Sequence, residues 1–301
     1  MREFTVTEND AGQRLDKFIT KLMPKLPKSM LYKGLRKNCV RVNGKHRKDG
    51  AVFVASGDVV TLYFSDEFFE TEKNFRYVKP IFGIAYEDEN ILVTDKPVGV
   101  LSHADENGNG DTLIDMVKSY LYDKGEYSPE NEQTFKPALC NRLDRNTGGL
   151  VIAAKNARAL REVNESIKLR KIRKFYTAIV TGKLEASGHL ENKLLREDKV
   201  TKVSDDGKTA SLDYRVLSEK NGLNLVEIEL HTGRTHQIRT QFAGIGCPLA
   251  GDTKYGGGGQ KFRQALYSTR LILGFDRDSS LAYLNGKQIE IKAPFEADFK
   301  E

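Results

Sequence analysis

The segment NRLDRNTGGLVIAAKN, residues 141–156, joins a polar turn to an apolar run. Asn146–Gly149 has the composition of a tight turn. Leu150–Ala154 is wholly apolar, which predicts a strand covered on both faces. Neither a turn nor a buried strand needs the charged residues Arg142 and Asp144 just ahead of it. These two residues are therefore candidate functional residues.

The elements around this segment predict an α+β fold. Ile91–Thr94, Phe175–Val180 and Leu225–Leu230 have the apolar or alternating patterns of strands. Thr112 or Asp111 can cap a helix with apolar residues at helical spacing, and Asn156 precedes a second such helix. Strands that outnumber helices, in mixed order, indicate a mixed or antiparallel β-sheet.

Composition points to a cytoplasmic protein without membrane association. The first residues have no apolar core of signal-peptide type, and no apolar run approaches membrane-spanning length. Cys39, Cys140 and Cys247 are far apart and form neither a disulfide framework nor a CxxC metal pattern. This cysteine usage suits a reducing compartment.

The positive charge of the chain is concentrated in one short segment. Residues 14–48 contain 12 Lys+Arg and one acid, Asp16, a net charge of +11, which leaves −5 for the rest of a chain whose total is +6. A solvated helix face is the alternative explanation. Because the charges are interleaved with a folded pattern, we favour a polyanionic partner, most simply nucleic acid.

This basic segment has the pattern of a small α/β unit. Apolar residues at helical spacing predict two helices, and Ser29 is placed to cap the second. Asn43-Gly44 is a strong hairpin signal. A further strand is predicted at Val52–Val54.

The pieces RLDKFI, KSMLYKGLRK, VRVNGK and SGDVVTL resemble an S4 RNA-binding domain over about fifty residues. The resemblance implies that residues 1–70 form this domain, residues 71–80 a linker and residues 81–301 a larger domain. It also implies that the basic helices and the hairpin turn face RNA. Charge selects eight candidate RNA-binding residues, which are Lys28, Lys33, Arg36, Lys37, Arg41, Lys45, Arg47 and Lys48.

Three places in the larger domain carry residues suited to chemistry. The first is Arg142-Leu143-Asp144, and the second is Lys174-Phe175-Tyr176, which ends a basic run that begins at Lys168. The third is HTGRTHQIR, His231–Arg239, where Thr235 can cap a helix. Taken singly, an Asp beside a turn or a Tyr on a strand is commonly structural.

Two other patterns are too incomplete to indicate a metal site or a phosphate-binding loop. His231 and His236 suggest a metal, but no further Cys, His or acid completes a ligand set nearby, so we expect no metal. Gly256–Gly259 lacks the GK[ST] ending of a phosphate-binding loop.

Four segments in order resemble the motifs of RluA-type pseudouridine synthases. They are IAYEDENILVTDKPVGVLSH, NRLDRNTGGL, KFYTAIVTG, and HTGRTHQIR with PLAGDTKYG. The resemblance runs from about residue 78 to the C-terminus. It implies a pseudouridine synthase fold and an enzyme that isomerises uridine to pseudouridine in RNA without a cofactor. The S4-like domain and the family pattern favour large-subunit ribosomal RNA, free or in a pre-ribosomal particle. Gly148 stands where Ser is usual in the motif, which keeps the tight turn.

The resemblance also implies roles for five residues. Asp144 is the expected catalytic carboxylate, and Arg239 is its expected ion-pair partner. Tyr176 is expected to stack on a uracil flipped out of the RNA, and Ile238 to pack against its other side. Arg142 is expected to enter the RNA stack, because its planar cation both stacks and binds phosphate. The order of bond-making at Asp144 stays open.

Other functions remain as alternatives at this point. A transfer-RNA pseudouridine synthase has the same motifs, and a non-catalytic ribosome-assembly factor would need only the basic domain. A methyltransferase or an aminoacyl-tRNA synthetase would need Gly-rich or ATP-binding signatures that the sequence does not have. A glycoside hydrolase would need two carboxylates across a sugar, and only Asp144 stands out. We expect a monomer.

Overall fold

The computed structural model describes residues 1–69, 75–104, 110–198, 200–258 and 264–299. These residues form a small N-terminal domain with its own sheet and a larger domain built on a long mixed sheet. Part of the predicted linker, residues 71–74, lies outside the described residues. The remainder packs on the larger domain, since the Phe75 ring lies 4.9 Å from that of Tyr122. No helix in the described part of the chain has the length and apolar character needed to span a bilayer.

The N-terminal domain packs two helices on a four-stranded sheet of order β1-β4-β2-β3. Its elements are β1 Arg2–Thr5, α1 Leu15–Leu22, α2 Lys28–Arg36, β2 Val40–Val42, β3 Lys45–His46 and β4 Val59–Leu62. The two predicted helices and the Asn43-Gly44 hairpin are confirmed, with Asn43 and Gly44 both at positive φ. A separate apolar core includes Leu15, Phe18 and Leu35.

Two local predictions for this domain are wrong. Helix α2 begins at Lys28 after Pro27, and no side chain caps it, so Ser29 lies inside its first turn. Val52–Val54 is not a strand. Its carbonyl groups are used by the start of α1 instead, because Leu15 N–H donates to Val52 O at 2.8 Å. A helix start leaves N–H groups without partners, and this segment supplies acceptors.

The larger domain has a sheet of order β11-β10-β12-β13-β9-β14-β8-β6-β5, with β15 paired to β14 and β7 to β8. Among the described pairs, β14 and β8 are parallel and the others antiparallel. The strands are β5 Gly83–Glu87, β6 Ile91–Lys96, β7 Ala138–Leu139, β8 Gly148–Ala154, β9 Arg173–Thr181, β10 Ser187–Glu197, β11 Val200–Val203, β12 Lys208–Lys220, β13 Leu223–Leu230, β14 Leu266–Ile272 and β15 Gln288–Glu290. The helices are α3 Leu113–Asp123, α4 Ala157–Lys168 and α5 Gln237–Gly244. The predicted α+β class is confirmed.

Strand β8 is buried along its whole length, as its apolar run predicts. Val151 packs in the core that contains residues of α3 and α5, and Ile152 packs in the core beside α4. Helices therefore cover the sheet on both faces. Thr112, one of the two predicted candidates, caps α3 by accepting a backbone hydrogen bond, and Asn156 caps α4, the helix predicted to follow it, in the same way.

The two domains meet through a small polar interface. Asp10 is fully buried and accepts a hydrogen bond from the Thr134 backbone N–H at 3.1 Å and another from its hydroxyl group. Asn9 donates to Glu132 at 2.9 Å. Arg161 of α4 donates to the carbonyl oxygen of Ala11 at 3.1 Å. These bonds hold the basic domain beside the end of the sheet that carries β8 and α4.

Candidate active site

The turn before β8 is built for close packing of the sheet. Strand β14 runs parallel to β8 here, with Tyr267 opposite Gly148 and Ser268 opposite Gly149. A Cβ at Gly148 would lie 2.2 Å from the Tyr267 ring, and one at Gly149 would lie 2.2 Å from Ser268 O. The replacement of the usual Ser by Gly148 thus matches an aromatic ring that occupies the space.

Asp144 lies just before this turn, and its neighbour fixes its direction. Leu143 is buried, and both its N–H and its carbonyl group bond to the hydroxyl group of Ser102, at 3.1 and 2.8 Å. Arg142, on one side of Leu143, is exposed, and Asp144, on the other, faces a cavity with 26% of its side chain exposed. The alternation presents both charged residues outward around a fixed apolar residue.

Arg239 connects Asp144 to a second carboxylate. Its Nη1 donates to Asp144 Oδ2 at 3.0 Å, while Nε and Nη2 donate to the two oxygens of Asp252 at 2.6 and 2.9 Å. The side chains of Arg239 and Asp252 are 8% and 1% exposed. The bidentate pair fixes the guanidinium plane, so one donor points at Asp144.

Burial alone would lower the pKa of Arg239, but the hydrogen bonds and charges of Asp252 and Asp144 raise it above its ordinary value. The expected ion pair of Asp144 with Arg239 is therefore present in the structure. The catalytic roles of the two residues stay a prediction.

Tyr176 and Ile238 complete the apolar part of the site. Tyr176 lies on β9 and Ile238 on α5, and both are buried in the core that reaches the cavity. Burial raises the pKa of the Tyr176 hydroxyl group, and the charge of Asp144 raises it further. The phenol is therefore neutral, and it offers a ring face and a weak hydrogen-bond donor to a ligand.

These side chains surround one cavity of about 440 Å³. A volume of this order suits a small organic ligand such as a single nucleotide. Its lining includes all five residues that the sequence motifs selected in the larger domain, namely Arg142, Asp144, Tyr176, Ile238 and Arg239.

The eight basic residues of the N-terminal domain lie elsewhere, on α2 and directly after it, on β2–β3, and just after β3. Seven are exposed, and Arg41 is half-buried with its guanidinium 5.4 Å from the ring centre of Tyr63. None forms an ion pair with a carboxylate of the described residues. These eight residues form a basic surface that is separate from the cavity.

Three supporting residues went unnoticed in the sequence, although each lies in or beside a quoted motif. Asp252 holds Arg239. Tyr255 shares a 2.7 Å hydrogen bond with His236, whose Nε2 lies 3.7 Å from Asp144 Oδ2. Lys96 is fully buried. The motifs PLAGDTKYG and TDKPVG were the available signal, but their partners lie too far along the chain to be paired by spacing.

Lys96 joins the end of β6 to the loop between β7 and β8, which carries Asp144. Its Nζ donates to the carbonyl oxygens of Val100 at 2.7 Å, Pro97 at 3.0 Å and Arg145 at 3.3 Å. Burial lowers the pKa of Lys96 to about 8, against the opposing charges of Asp144 and Asp95.

One prediction for the HTGRTHQIR segment is wrong, and the structure adds neighbours to His231 that the spacing did not reveal. Thr235 does not cap α5, which follows His236 in a left-handed conformation at φ 52°. The side chain of Gln237 bonds this turn instead, accepting from Arg234 N–H at 3.0 Å. His231 does have neighbours suited to a metal, because the sheet brings His189 and Asp213 to it, with ligand atoms within 4.8 Å of one another. Both histidines hydrogen-bond Asp213, at 2.6 and 2.8 Å.

Comparison with known proteins gives a consistent result. The model of the RNA pseudouridylate synthase family matches residues 90–244, and that of the S4 domain matches residues 13–60. The chain is 32% identical to an uncharacterized RNA pseudouridine synthase of Mycoplasma capricolum, with 98% of each chain covered. It is 31% identical to ribosomal large subunit pseudouridine synthase D of Yersinia pestis, over 91% of this chain and 83% of that protein. Ribosomal large subunit pseudouridine synthase C of the same organism is also 31% identical, over 97% of this chain and 91% of that protein. The fold is similar to that of human RNA pseudouridylate synthase domain containing 1, with a TM-score of 0.57 at 20% identity over 73% of this chain and 86% of that one.

Proposed function

Since the chain belongs to the RNA pseudouridylate synthase family, we propose that it converts specific uridines of large-subunit ribosomal RNA to pseudouridine. Relatives named as ribosomal large subunit synthases, similar to this chain over nearly its whole length, support this choice of RNA. An N-terminal S4 domain with a cluster of basic residues suits a large structured RNA. We propose further that the enzyme acts in the cytoplasm and works as a monomer.

The observation that carries the proposal is the carboxylate of Asp144 at the edge of a cavity, ion-paired to a buried arginine. The reaction breaks the N1–C1′ bond of uridine and forms a C5–C1′ bond, while the proton at C5 is lost to solvent and N1 takes up a proton. It needs an ionised oxygen close to sugar and base. A carboxylate in a partly buried site keeps its charge when a cation is in contact. Arg239 supplies that cation.

The other cavity residues suit a flipped nucleotide. A base inside an RNA helix is out of reach of Asp144, so it must leave the stack. Tyr176 and Ile238 supply apolar surfaces for its two faces. Arg142, which is exposed at the cavity edge, occupies the place that the base leaves. Its planar cation stacks on bases and pairs with phosphate.

The test is tritium release from ribosomal RNA labelled at uracil C5 and lacking modifications, with unmodified transfer RNA as the comparison. Wild type is expected to release tritium from ribosomal RNA. Asp144→Asn, which keeps the size of the side chain and removes its charge, is expected to reduce release at least about 1,000-fold while RNA binding persists. Asp276→Asn is the control for loss of one exposed carboxylate.

Each other outcome points elsewhere. Release by Asp144→Asn at the wild-type rate would remove that residue from the chemistry. Release from transfer RNA alone would change the substrate. Tight binding without release from any RNA or pre-ribosomal particle would favour an assembly factor.

A further inference from the structure

The basic run that leads into β9 divides into two groups by its partners. Lys171 pairs with Asp276, and Arg173 forms a bidentate pair with Glu229 at 2.7 and 2.8 Å. Arg170 and Lys174, in the same seven residues, have no carboxylate in ion-pair range among the residues that the structure describes. Neighbours in sequence therefore differ sharply in how their charge is compensated.

Both uncompensated residues line the active-site cavity. Arg170 and Lys174 contribute to its wall, together with Asp144 and Tyr176, whereas Lys171 and Arg173 do not. Lys168 also contributes to the wall, but its ammonium is paired with Glu165. Asp144 is already engaged by Arg239. The wall near α4 and β9 therefore offers positive charge to whatever enters the cavity.

The backbone of Arg170 adds an independent observation. Arg170 follows the end of α4 in the left-handed region, at φ 59°, and its N–H donates to Ile167 O at 3.1 Å. This position after a helix is one that glycine occupies without strain and other residues occupy at a cost. A strained residue kept at a cavity indicates that its side chain is used there.

Lys174 lies close to a second segment that lines the cavity. It is half-buried on β9, and its ammonium lies against Gly233 of the HTGRTHQIR segment, 3.8 Å from where a Cβ would stand. Burial lowers the pKa of Lys174, with no acidic neighbour to oppose the shift. An anion in contact with this ammonium would replace the solvation that burial removes.

We propose that Arg170 and Lys174 form a phosphate-binding site that holds the RNA backbone beside the flipped nucleotide. The ligand class is the phosphodiester of a single-stranded or locally opened strand. The exposed guanidinium suits two phosphate oxygens at once, and the half-buried ammonium acts as a point charge. The inference rests on the proposed function, because it takes RNA as the molecule that enters the cavity.

The test compares two double variants that remove the same charge from the same segment. Arg170→Gln/Lys174→Gln removes the proposed site, and Lys171→Gln/Arg173→Gln removes the paired cations as the matched control. RNA affinity is measured against salt concentration with the full chain and a C5-labelled ribosomal RNA fragment. The slope of log K against log salt is negative, and removal of one cation that binds a phosphate makes it less steep by about 0.7 to 0.9. We expect the slope to become less steep by about 1.5 for the first variant and to stay unchanged for the control.

Kinetics and folding give further readouts. The first variant is expected to raise KM about 10-fold or more with kcat within about threefold of wild type, because it removes binding that is uniform along the reaction. Arg170→Gly is expected to keep or raise the melting temperature, since it relieves the left-handed strain, and still to weaken RNA binding. A structural role alone would not separate stability from binding in this way.

Equal slopes for the two double variants would overturn the proposal, as would Arg170→Gly with wild-type affinity. These outcomes are distinct from failure of the proposed function. If the wild type binds RNA but forms no pseudouridine, the function is wrong, while the slope comparison still decides whether these two residues contact phosphate.

Discussion

At the residue scale, Asp144 pairs with the guanidinium group of Arg239, and a second carboxylate, that of Asp252, holds this group in place. Arg239 makes two hydrogen bonds to Asp252 and one to Asp144. Asp252 is almost fully buried, and its two oxygens accept hydrogen bonds from Arg239. The direction of the donor that meets Asp144 is thus set by a residue outside the cavity lining. We propose that Asp252 is a positioning residue.

We expect Asp252→Asn to lower kcat about 100-fold with little change in KM, because a donor displaced by a fraction of an ångström no longer orients Asp144. Single-turnover tritium release measures the chemical step. Asp276→Asn, which removes an exposed carboxylate, is the control. A folded Asp252→Asn enzyme with a chemical step within twofold of wild type would show that Asp144 alone positions Arg239.

At the element scale, the buried ammonium of Lys96 joins the end of β6 to the loop between β7 and β8. Three carbonyl groups from two chain segments accept its hydrogen bonds. Burial depresses its pKa from 10.5 to about 8. Between these values the unfolded chain holds one proton more than the folded chain, so this residue makes the free energy of unfolding rise with pH.

Lys96→Met removes this titration and keeps the side-chain length. Relative to the variant, wild type is expected to gain about 3 kcal/mol of stability between pH 8 and pH 10.5. Denaturant unfolding of both proteins at a series of pH values measures the difference. A difference that stays constant over this range would mean that Lys96 keeps an ordinary pKa in the fold.

Sequence patterns predicted those elements whose causes are local. The apolar run of β8 and the helices that begin after Thr112 and Asn156 depend on a few adjacent residues, and the structure has them as expected. The predictions for Ser29 and Val52–Val54 are wrong because other residues decide the local structure. Helix α2 begins directly after Pro27, so Ser29 lies inside its first turn. The start of α1 uses the carbonyl group of Val52 as a hydrogen-bond acceptor.

Contacts between distant segments were beyond such local patterns. Arg239 meets Asp144 across 95 positions, a pairing that the family resemblance implied and spacing did not. Lys96 meets Arg145 across 49 positions, and nothing in the sequence pointed to that contact. The cluster of His189, Asp213 and His231 depends on strand register, with His189 directly opposite Asp213. Spacing in the chain does not encode which distant segments a sheet will place side by side.

At the scale of the whole molecule, two basic surfaces are held at a fixed separation by a polar contact. The eight residues of the N-terminal domain form one surface, and Arg170 and Lys174 lie beside the cavity. Asp10 and Thr134 lie at the centre of the contact between the domains. One RNA that touches both surfaces would bind more tightly than two separate contacts allow.

Asp10→Ala leaves the buried N–H of Thr134 without its acceptor and is expected to release the N-terminal domain. We predict a larger radius of gyration by small-angle X-ray scattering and a KM for ribosomal RNA raised about 10-fold with kcat unchanged. Asp49→Asn, an exposed carboxylate of the same domain, is the control. Unchanged scattering would show that other contacts suffice to hold the domains together.

The parallel pairing of β8 with β14 also has a consequence for synthesis of the chain. Strand β8 acquires this neighbour only when residues 266–272 have been made, whereas the N-terminal domain ends its last strand at Leu62. A ribosome adds the intervening 200 or so residues in roughly 10 to 40 seconds. During that interval the nascent protein already displays its own RNA-binding surface. The surface that binds RNA is therefore complete before the cavity that contains Asp144.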